Sequence, residues 1–245
     1  MKASDIHGRD HEKFRTAKFA VLPLGSFEYH GPHSPYGTDC VLADGFAGQI
    51  DPAFGGLVYP TVPYTACPGK TTKYPGTITI RPSVIQEYVI DIVEGIIRGG
   101  ISNIILLNAH DGNMGVSRTV AEYITSKYED SRFLLINWWQ MVEIEKAEEL
   151  GLVGTKGRGH GGPYEMSAAK AFRPDLVQVD GADQEFKEAA PLSKLPYILV
   201  EGRPEAWDGY TGMIQQTSLE LGEKIVKEAT QNMNALIKNW LQADE

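Results

Sequence analysis

The chain has 245 residues, 42% of them hydrophobic and 22% charged, which is the composition of a globular protein with enough apolar material for a sizeable core. Its formal net charge of −9 is the opposite of the basic surface that binds a phosphate backbone, so we expect no nucleic-acid partner. The N-terminus lacks a secretory signal and no apolar run approaches the roughly eighteen residues of a membrane span, so we expect a cytoplasmic protein without a membrane partner.

Short apolar runs alternate with amphipathic stretches along the chain, which predicts an α/β layered fold with a mostly parallel sheet. The predicted strands cover residues 19–26, 57–64, 103–110 and 132–139. The predicted helices cover residues 39–50, 81–100, 114–128 and 218–241. Residues 180–215 are rich in glycine, proline and acidic side chains, and we interpret them as a surface loop rather than a domain boundary.

Potential metal ligands follow the carboxyl ends of two predicted strands. Glu28, His30 and Asp39 come after the first strand, and His110 comes after the third. Open α/β sheets bind ligands outside these strand ends, so the two segments are expected to converge on one site. Carboxylate and imidazole donors favour Zn²⁺, Mn²⁺ or Fe²⁺ over a structural cysteine site, and a carboxylate such as Asp39 can bridge two ions.

A third segment, residues 157–172, offers His160 and Glu165 in a glycine-rich turn at the start of a predicted helix. Glycines in such a turn let the backbone approach a ligand closely. The alternative for both side chains is capping of the helix N-terminus. His33 is flanked by prolines, which favours a structural hydrogen bond over ligation.

Two cysteines, Cys40 and Cys67, are too few for a disulfide framework, and neither belongs to a C-x-x-C pattern. We expect both to be free thiols with no role beyond burial. Trp138 and Trp139 end a predicted strand, where an indole either packs in the core or lies over a planar substrate.

Three segments carry a family resemblance: "LPLGSFEYHGPHSPYGTD" (22–39), "LLNAHDGN" (106–113) and "GHGGPYEMSAA" (159–169). Together with "YPGTITI" (74–80) and the stretch at 209–225, they resemble the motifs of the creatininase family in order along the chain. The resemblance implies one α/β/α domain, a three-layer sandwich spanning residues 1–245, in a homo-oligomer that is often a hexamer. It also implies hydrolysis of a non-peptide C–N bond in a small amide, cyclic amide or formamide, by water activated at two divalent metal ions.

The resemblance also implies roles for single residues. Glu28 and His110 would hold one metal, His30 the second, and Asp39 would bridge the two. Glu165 would complete the second site or orient its water. His160 would contact substrate or pass a proton to the leaving nitrogen, and Glu165 or Asp111 would accept the proton from water.

This chain departs from the family pattern at two places. Creatininases proper carry a glutamate two residues after the metal histidine, where this chain has Gly112, which argues against creatinine as the substrate. Many members have an acid and an imidazole where this chain has Lys70 and Thr71; a lysine there is either a contact for an anionic substrate group or a solvated side chain. Asp111 is alternatively a capping residue of its loop.

Two other functions compete with this interpretation. A dinuclear phosphoesterase is suggested by "NAHD" (108–111), but the early D-x-H and G-D-x-x motifs of that class are missing. A metal-stabilised binding or scaffold protein without turnover is suggested by the departures at Gly112 and Lys70. Hydrolysis of a small amide with added metal separates the enzyme from the scaffold.

Overall fold

The computed structural model describes residues 1–67, 69–150, 159–179 and 208–243. Its sheet has four parallel strands in the order β2–β1–β3–β4. The strands are β1 (Phe19–Leu24), β2 (Gly56–Val58), β3 (Asn103–Asn108) and β4 (Arg132–Asn137). The two central strands are buried along most of their length, as expected for a parallel sheet covered on both faces. The predicted parallel sheet is confirmed.

Seven α-helices accompany the sheet in the described part of the chain: α1 (Glu12–Thr16), α2 (Thr38–Gly48), α3 (Pro82–Arg98), α4 (Met114–Lys127), α5 (Ile144–Glu149), α6 (Pro163–Phe172) and α7 (Leu219–Gln242). α3 and α6 each start with proline, which fits the first helical position because its missing N–H has no helical partner there. Among the described helices, none combines the length and the apolarity needed to cross a bilayer.

Two hydrophobic cores lie on opposite faces of the sheet. Because side chains alternate along a strand, Val21 and Leu107 face one core while Leu22 and Leu106 face the other. The first core packs against α2, α6 and α7, and the second packs against α3 and α4. This arrangement confirms the predicted α/β/α sandwich.

Strand ends differ most from the prediction. The strand expected at residues 57–64 pairs regularly only over Gly56–Val58, because Pro60 and Pro63 have no N–H to donate to a ladder. Val62 still forms one isolated bridge to Leu24. The other three strands end two residues earlier than predicted, where the backbone turns into the loops described below. Most of the loop predicted at residues 180–215 lies outside the described residues.

Candidate metal centre

The site lies where β1 and β3 end beside each other. Ala109 continues the pairing by donating its N–H to the carbonyl of Leu24 at 2.9 Å, which places His110 next to the loop that follows β1. That loop returns to the site because the N–H of Glu28 bonds the carbonyl of Tyr36 at 3.0 Å. Asp39 then lies in the first turn of α2. The predicted convergence of the two segments is therefore a feature of the fold.

One aspartate faces two imidazoles. Oδ1 of Asp39 lies 3.1 Å from Nε2 of His30, and Oδ2 lies 3.2 Å from Nδ1 of His110. Oε1 of Glu28 lies 2.9 Å from the same His110 nitrogen, and Oε2 of Glu165 lies 3.9 Å from Nε2 of His30. Asp39, His30 and Glu28 are buried, and the side chains of His110 and Glu165 are only 11% and 14% exposed. Asp39 has the geometry of a carboxylate that bridges two ion positions.

Each imidazole is tied to the main chain through its nitrogen that points away from the carboxylates. Nδ1 of His30 contacts the carbonyl of Glu28 at 3.0 Å, and Nε2 of His110 contacts that of Ala66 at 3.0 Å. Nε2 of His160 contacts the carbonyl of Tyr29 at 2.8 Å. A carbonyl can only accept, so these nitrogens carry hydrogens, and the opposite nitrogen of each ring faces the site, where it offers a lone pair to a metal once it has given up its proton. Such backbone contacts orient histidines that bind metals.

The third segment approaches the first through backbone contacts. Nε2 of His33 contacts the carbonyl of Gly161 at 3.0 Å, which is the structural hydrogen bond expected for this histidine. Gly161 has a φ of +64°, and a Cβ there would lie 2.6 Å from the His30 carbonyl oxygen, so only glycine fits. Its N–H donates to Oε2 of Glu165 at 2.7 Å. The His160 ring stacks on that of His30 with 4.1 Å between ring centroids.

Charge within the cluster sets the protonation of its main groups. Burial raises the pKa of Glu28, but the attraction of His110 outweighs burial and lowers it to about 2. Burial likewise opposes ionisation of Asp39, yet His30 and His110 hold its pKa below the usual range. Burial lowers the pKa of His30, and Asp39 more than compensates and raises it to about 10; Glu28 raises that of His110 in the same way. The buried carboxylates thus require positive charge beside them, as a divalent cation supplies.

His160 and Glu165 are shifted in the opposite sense. Burial, followed by repulsion from protonated His30, lowers the pKa of His160 to about 4. Burial raises the pKa of Glu165 to about 7 against the attraction of His30. At neutral pH His160 is therefore an uncharged imidazole, and Glu165 exchanges its proton near that pH. These are the protonation properties of groups that accept and release protons.

Three groups of potential metal ligands occur among the described residues, each with ligand atoms within 4.8 Å of one another. They are Glu28, His30 and His160; Glu28, Cys67 and His110; and His30, Asp39 and Glu165. The donor set and the bridging position of Asp39 fit divalent metal ions. Oε1 of Glu28 supports this, because it is buried without a hydrogen bond although His110 Nδ1 is near, as expected when two ligands face a common cation rather than each other.

Two residues near the ligands have contacts that the sequence did not indicate. Thr71 is buried and donates its hydroxyl to Oε2 of Glu28 at 2.5 Å, and Ser26 donates to Oδ2 of Asp39 at 2.5 Å. In each carboxylate, the oxygen that does not accept this hydroxyl faces an imidazole: Oε1 of Glu28 faces His110, and Oδ1 of Asp39 faces His30. Ser26 lies inside the first motif, whereas Thr71 was noted only as a departure from the family pattern. Lys70 beside it is exposed.

Other positions that the sequence singled out lie outside the ligand groups of the described residues, leave no room for a larger side chain, or belong to the core. Asp111 is exposed at the start of a 3-10 helix and belongs to none of the three ligand groups found among the described residues, so its placement lends no support to a catalytic role. A Cβ at Gly112 would lie 2.5 Å from both the Ala66 carbonyl oxygen and Nε2 of His110. Trp138 is buried and stacks between Phe46 and Tyr164, with centroid distances of 4.9 and 5.2 Å, so it belongs to the core.

The fold and this site define a divalent-metal-binding protein of the α/β class. A family model described as creatinine amidohydrolase matches residues 5–237, nearly the whole chain. The chain therefore belongs to the creatininase family. It is an enzyme of that family, whose members are amidohydrolases.

Curated relatives with different reactions align over most of the chain. A creatinine amidohydrolase of Pseudomonas putida is 25% identical over 233 residues, covering 89% of this chain and 88% of the relative. A 3-dehydro-scyllo-inosose hydrolase of Thermotoga maritima is 24% identical, covering 89% and 71%. A mycofactocin precursor peptide peptidase of Mycolicibacterium smegmatis is 25% identical, covering 90% and 84%. Family membership alone thus leaves the substrate open.

Solved structures share the fold over almost the full length. A creatininase variant in complex with creatine superposes with a TM-score of 0.83 at 22% identity, covering 98% of both chains. A manganese creatininase superposes with a TM-score of 0.81 at 22% identity and the same coverage. A zinc–zinc type of a creatininase variant gives 0.78 at 22% identity, again covering 98% of both. At this level of identity the match establishes the architecture.

Proposed function

We propose that this enzyme, acting as one domain over residues 1–245, hydrolyses a non-peptide C–N bond in a small amide, cyclic amide or formamide with two divalent metal ions. Glu28, His110 and Asp39 hold the first ion. His30, Asp39 and Glu165 hold the second. The two ions share Asp39, and we expect them to be Zn²⁺, Mn²⁺ or Fe²⁺.

The observation that carries this proposal is the position of Asp39 between two imidazoles. Its two oxygens lie at nearly equal distances, 3.1 and 3.2 Å, from nitrogens of different histidines. The opposite nitrogen of each ring is held by a backbone carbonyl, so the nitrogens beside Asp39 are the ones that a metal ion would displace a proton from and bind.

Such ions lower the pKa of a bound water to about 7 and polarise a carbonyl group. Two side chains, Glu165 and His160, would then transfer the proton from the water to the leaving nitrogen. Glu165 is held by the Gly161 N–H at 2.7 Å and accepts a proton at its free oxygen. His160 is about a quarter exposed, more than the other site histidines, and so it can reach a substrate. Because its Nε2–H is held by Tyr29, His160 takes up at Nδ1 the proton that Glu165 accepted from water and passes it to the leaving nitrogen.

Creatinine is disfavoured as the substrate by the space around Gly112. A glutamate at this position would need its Cβ where the Ala66 carbonyl and the His110 ring already lie, each 2.5 Å away. This backbone therefore cannot present the carboxylate that creatininases proper carry. The curated relatives act on creatinine, an inosose and a peptide, which supports a pocket that varies around a common centre.

The test is metal analysis of purified protein, alongside a His110→Ala variant and a His11→Ala control. His11 is exposed in the N-terminal segment and belongs to none of the ligand groups found in the described part of the chain. We expect about two divalent ions per chain in the wild type and the control, and a lower content in His110→Ala. Wild-type protein would then be screened with formamides and cyclic amides in Zn²⁺, Mn²⁺ or Fe²⁺. Two bound ions without turnover of any such amide would favour the scaffold function.

We also expect a homo-oligomer, with a hexamer favoured. Exposed apolar side chains near the site, Tyr64 at 47% and Ile78 at 42%, offer surface for contacts between subunits. Light scattering after size-exclusion chromatography measures the mass directly. A particle of 27 kDa, the mass of one chain, would contradict this expectation.

A further inference from the structure

We propose that the thiol of Cys67 is a ligand of the first metal ion, together with Glu28 and His110. This inference rests on the proposed function, because it needs an ion at that position. The second group of potential ligands among the described residues, His30, Asp39 and Glu165, contains no cysteine. The two ion positions would therefore differ in chemistry although they share a bridging carboxylate.

Three observations place the sulfur at the ion. Its Sγ, an oxygen of Glu28 and a nitrogen of His110 lie within 4.8 Å of one another, a grouping that could hold one metal ion. Cys67 is 4% exposed, so its thiol is directed inward. Oε1 of Glu28 is buried without a hydrogen bond although it lies 2.9 Å from Nδ1 of His110, as expected for two ligands that face one cation.

The backbone around Cys67 fixes the sulfur and the His110 ring together. The N–H of Cys67 donates to Oγ1 of Thr79 at 2.8 Å. The carbonyl of Ala66, the preceding residue, holds Nε2 of His110 at 3.0 Å. One short segment thus orients two ligands of one ion.

A thiolate changes which ion the first position prefers. Soft sulfur ligands favour Zn²⁺, whereas carboxylates and carbonyls suit Mn²⁺ and Mg²⁺. The first position should then retain Zn²⁺ while the second, built from oxygen and nitrogen donors, exchanges with harder ions. A mixed zinc and manganese enzyme is the expected product of loading with both metals.

The experiment measures sulfur at the metal directly. Full-length wild type, Cys67→Ser and Cys67→Ala would be loaded with Zn²⁺ for X-ray absorption and with Co²⁺ for electronic spectra. The matched control is Cys40→Ser, because Cys40 is half-buried beside Asp39 but belongs to none of the ligand groups in the described chain. We expect a sulfur scatterer at about 2.3 Å from zinc and a sulfur-to-cobalt charge-transfer band in the wild type and in Cys40→Ser.

Both signals should disappear in the Cys67 variants, and Zn²⁺ should lose its advantage over Mn²⁺ at one site by about 10-fold or more. Two bound ions with only oxygen and nitrogen scatterers in the wild type would overturn the sulfur ligand and leave the proposed function intact. Failure of wild-type protein to bind any ion would overturn both. The wild-type spectra decide the matter even where a Cys67 variant fails to fold.

Discussion

Replacing Asp39 by asparagine should weaken both metal positions with one change. The side chain is 1% exposed, and asparagine keeps its shape but offers one oxygen and one NH₂ group. The NH₂ group must face either His30 or His110, and it cannot bind a cation. That position loses a ligand outright, while the other exchanges a carboxylate for a neutral carbonyl. We expect a loss of about 100-fold in affinity at the first of these, or about 2.8 kcal/mol, and about 10-fold at the other.

The assay is titration calorimetry with Zn²⁺ and Mn²⁺, together with metal content after gel filtration. Asp91→Asn, on the exposed face of α3, is the control for loss of one negative charge. Asp39→Ala should remove both ions together because it leaves neither oxygen. Circular dichroism checks that each variant keeps its fold. Retention of two ions at wild-type affinity in Asp39→Ala would refute the bridging assignment.

Three further outcomes follow from contacts near the site. Gly112→Glu should lower the free energy of unfolding by about 1–3 kcal/mol, because the new side chain overpacks a filled space. Gly115→Glu is the control, since a Cβ there meets no atom within 4 Å, and equal denaturation midpoints for the two variants would contradict this prediction. Thr71→Val should weaken metal binding by about 10-fold because Glu28 loses its hydroxyl partner, and Thr71→Ser should restore it in the same titration. With chelator present, thermal stability should fall as pH rises from about 7 to 10, because the pKa of His30 is raised to about 10 in the folded state and its stabilising proton is lost there. Metal affinity should rise over that range, and a melting temperature that rises instead would show that His30 holds no such proton.

Apolar runs were sufficient to predict the sheet because its central strands are covered on both faces. The strands around Val21 and Ile105 are continuous buried segments, and their carboxyl ends had to lie together once both belonged to one parallel sheet. The positions of Glu28 and His110 follow from that topology. The short β2 also has a local cause, since its prolines are visible in the sequence.

The contributions of Thr71 and Cys67 could not be predicted in the same way. Both lie in an irregular segment between β2 and α3, whose path depends on hydrogen bonds such as that from the Ile80 N–H to the Thr65 carbonyl at 2.9 Å. No hydrophobic period marks such a path. Trp138 was ambiguous for another reason, because its partner Tyr164 comes from α6 and the pairing of distant rings leaves no local pattern.

The carboxylate and imidazole ligands come from three parts of the chain that are far apart in sequence: the segment from the loop after β1 to the first turn of α2, the turn after β3, and the start of α6. Ions shared by Asp39 and Glu165 would therefore act as a cross-link between the N-terminal and C-terminal halves of the protein. The entropy of closing a loop grows only by about 0.6 kcal/mol per doubling of its length, so a distant clip restricts the unfolded chain more than a local one. Because only the folded chain brings the ligands together, unfolding and metal release become a single event, and free metal concentration becomes a determinant of the protein's lifetime.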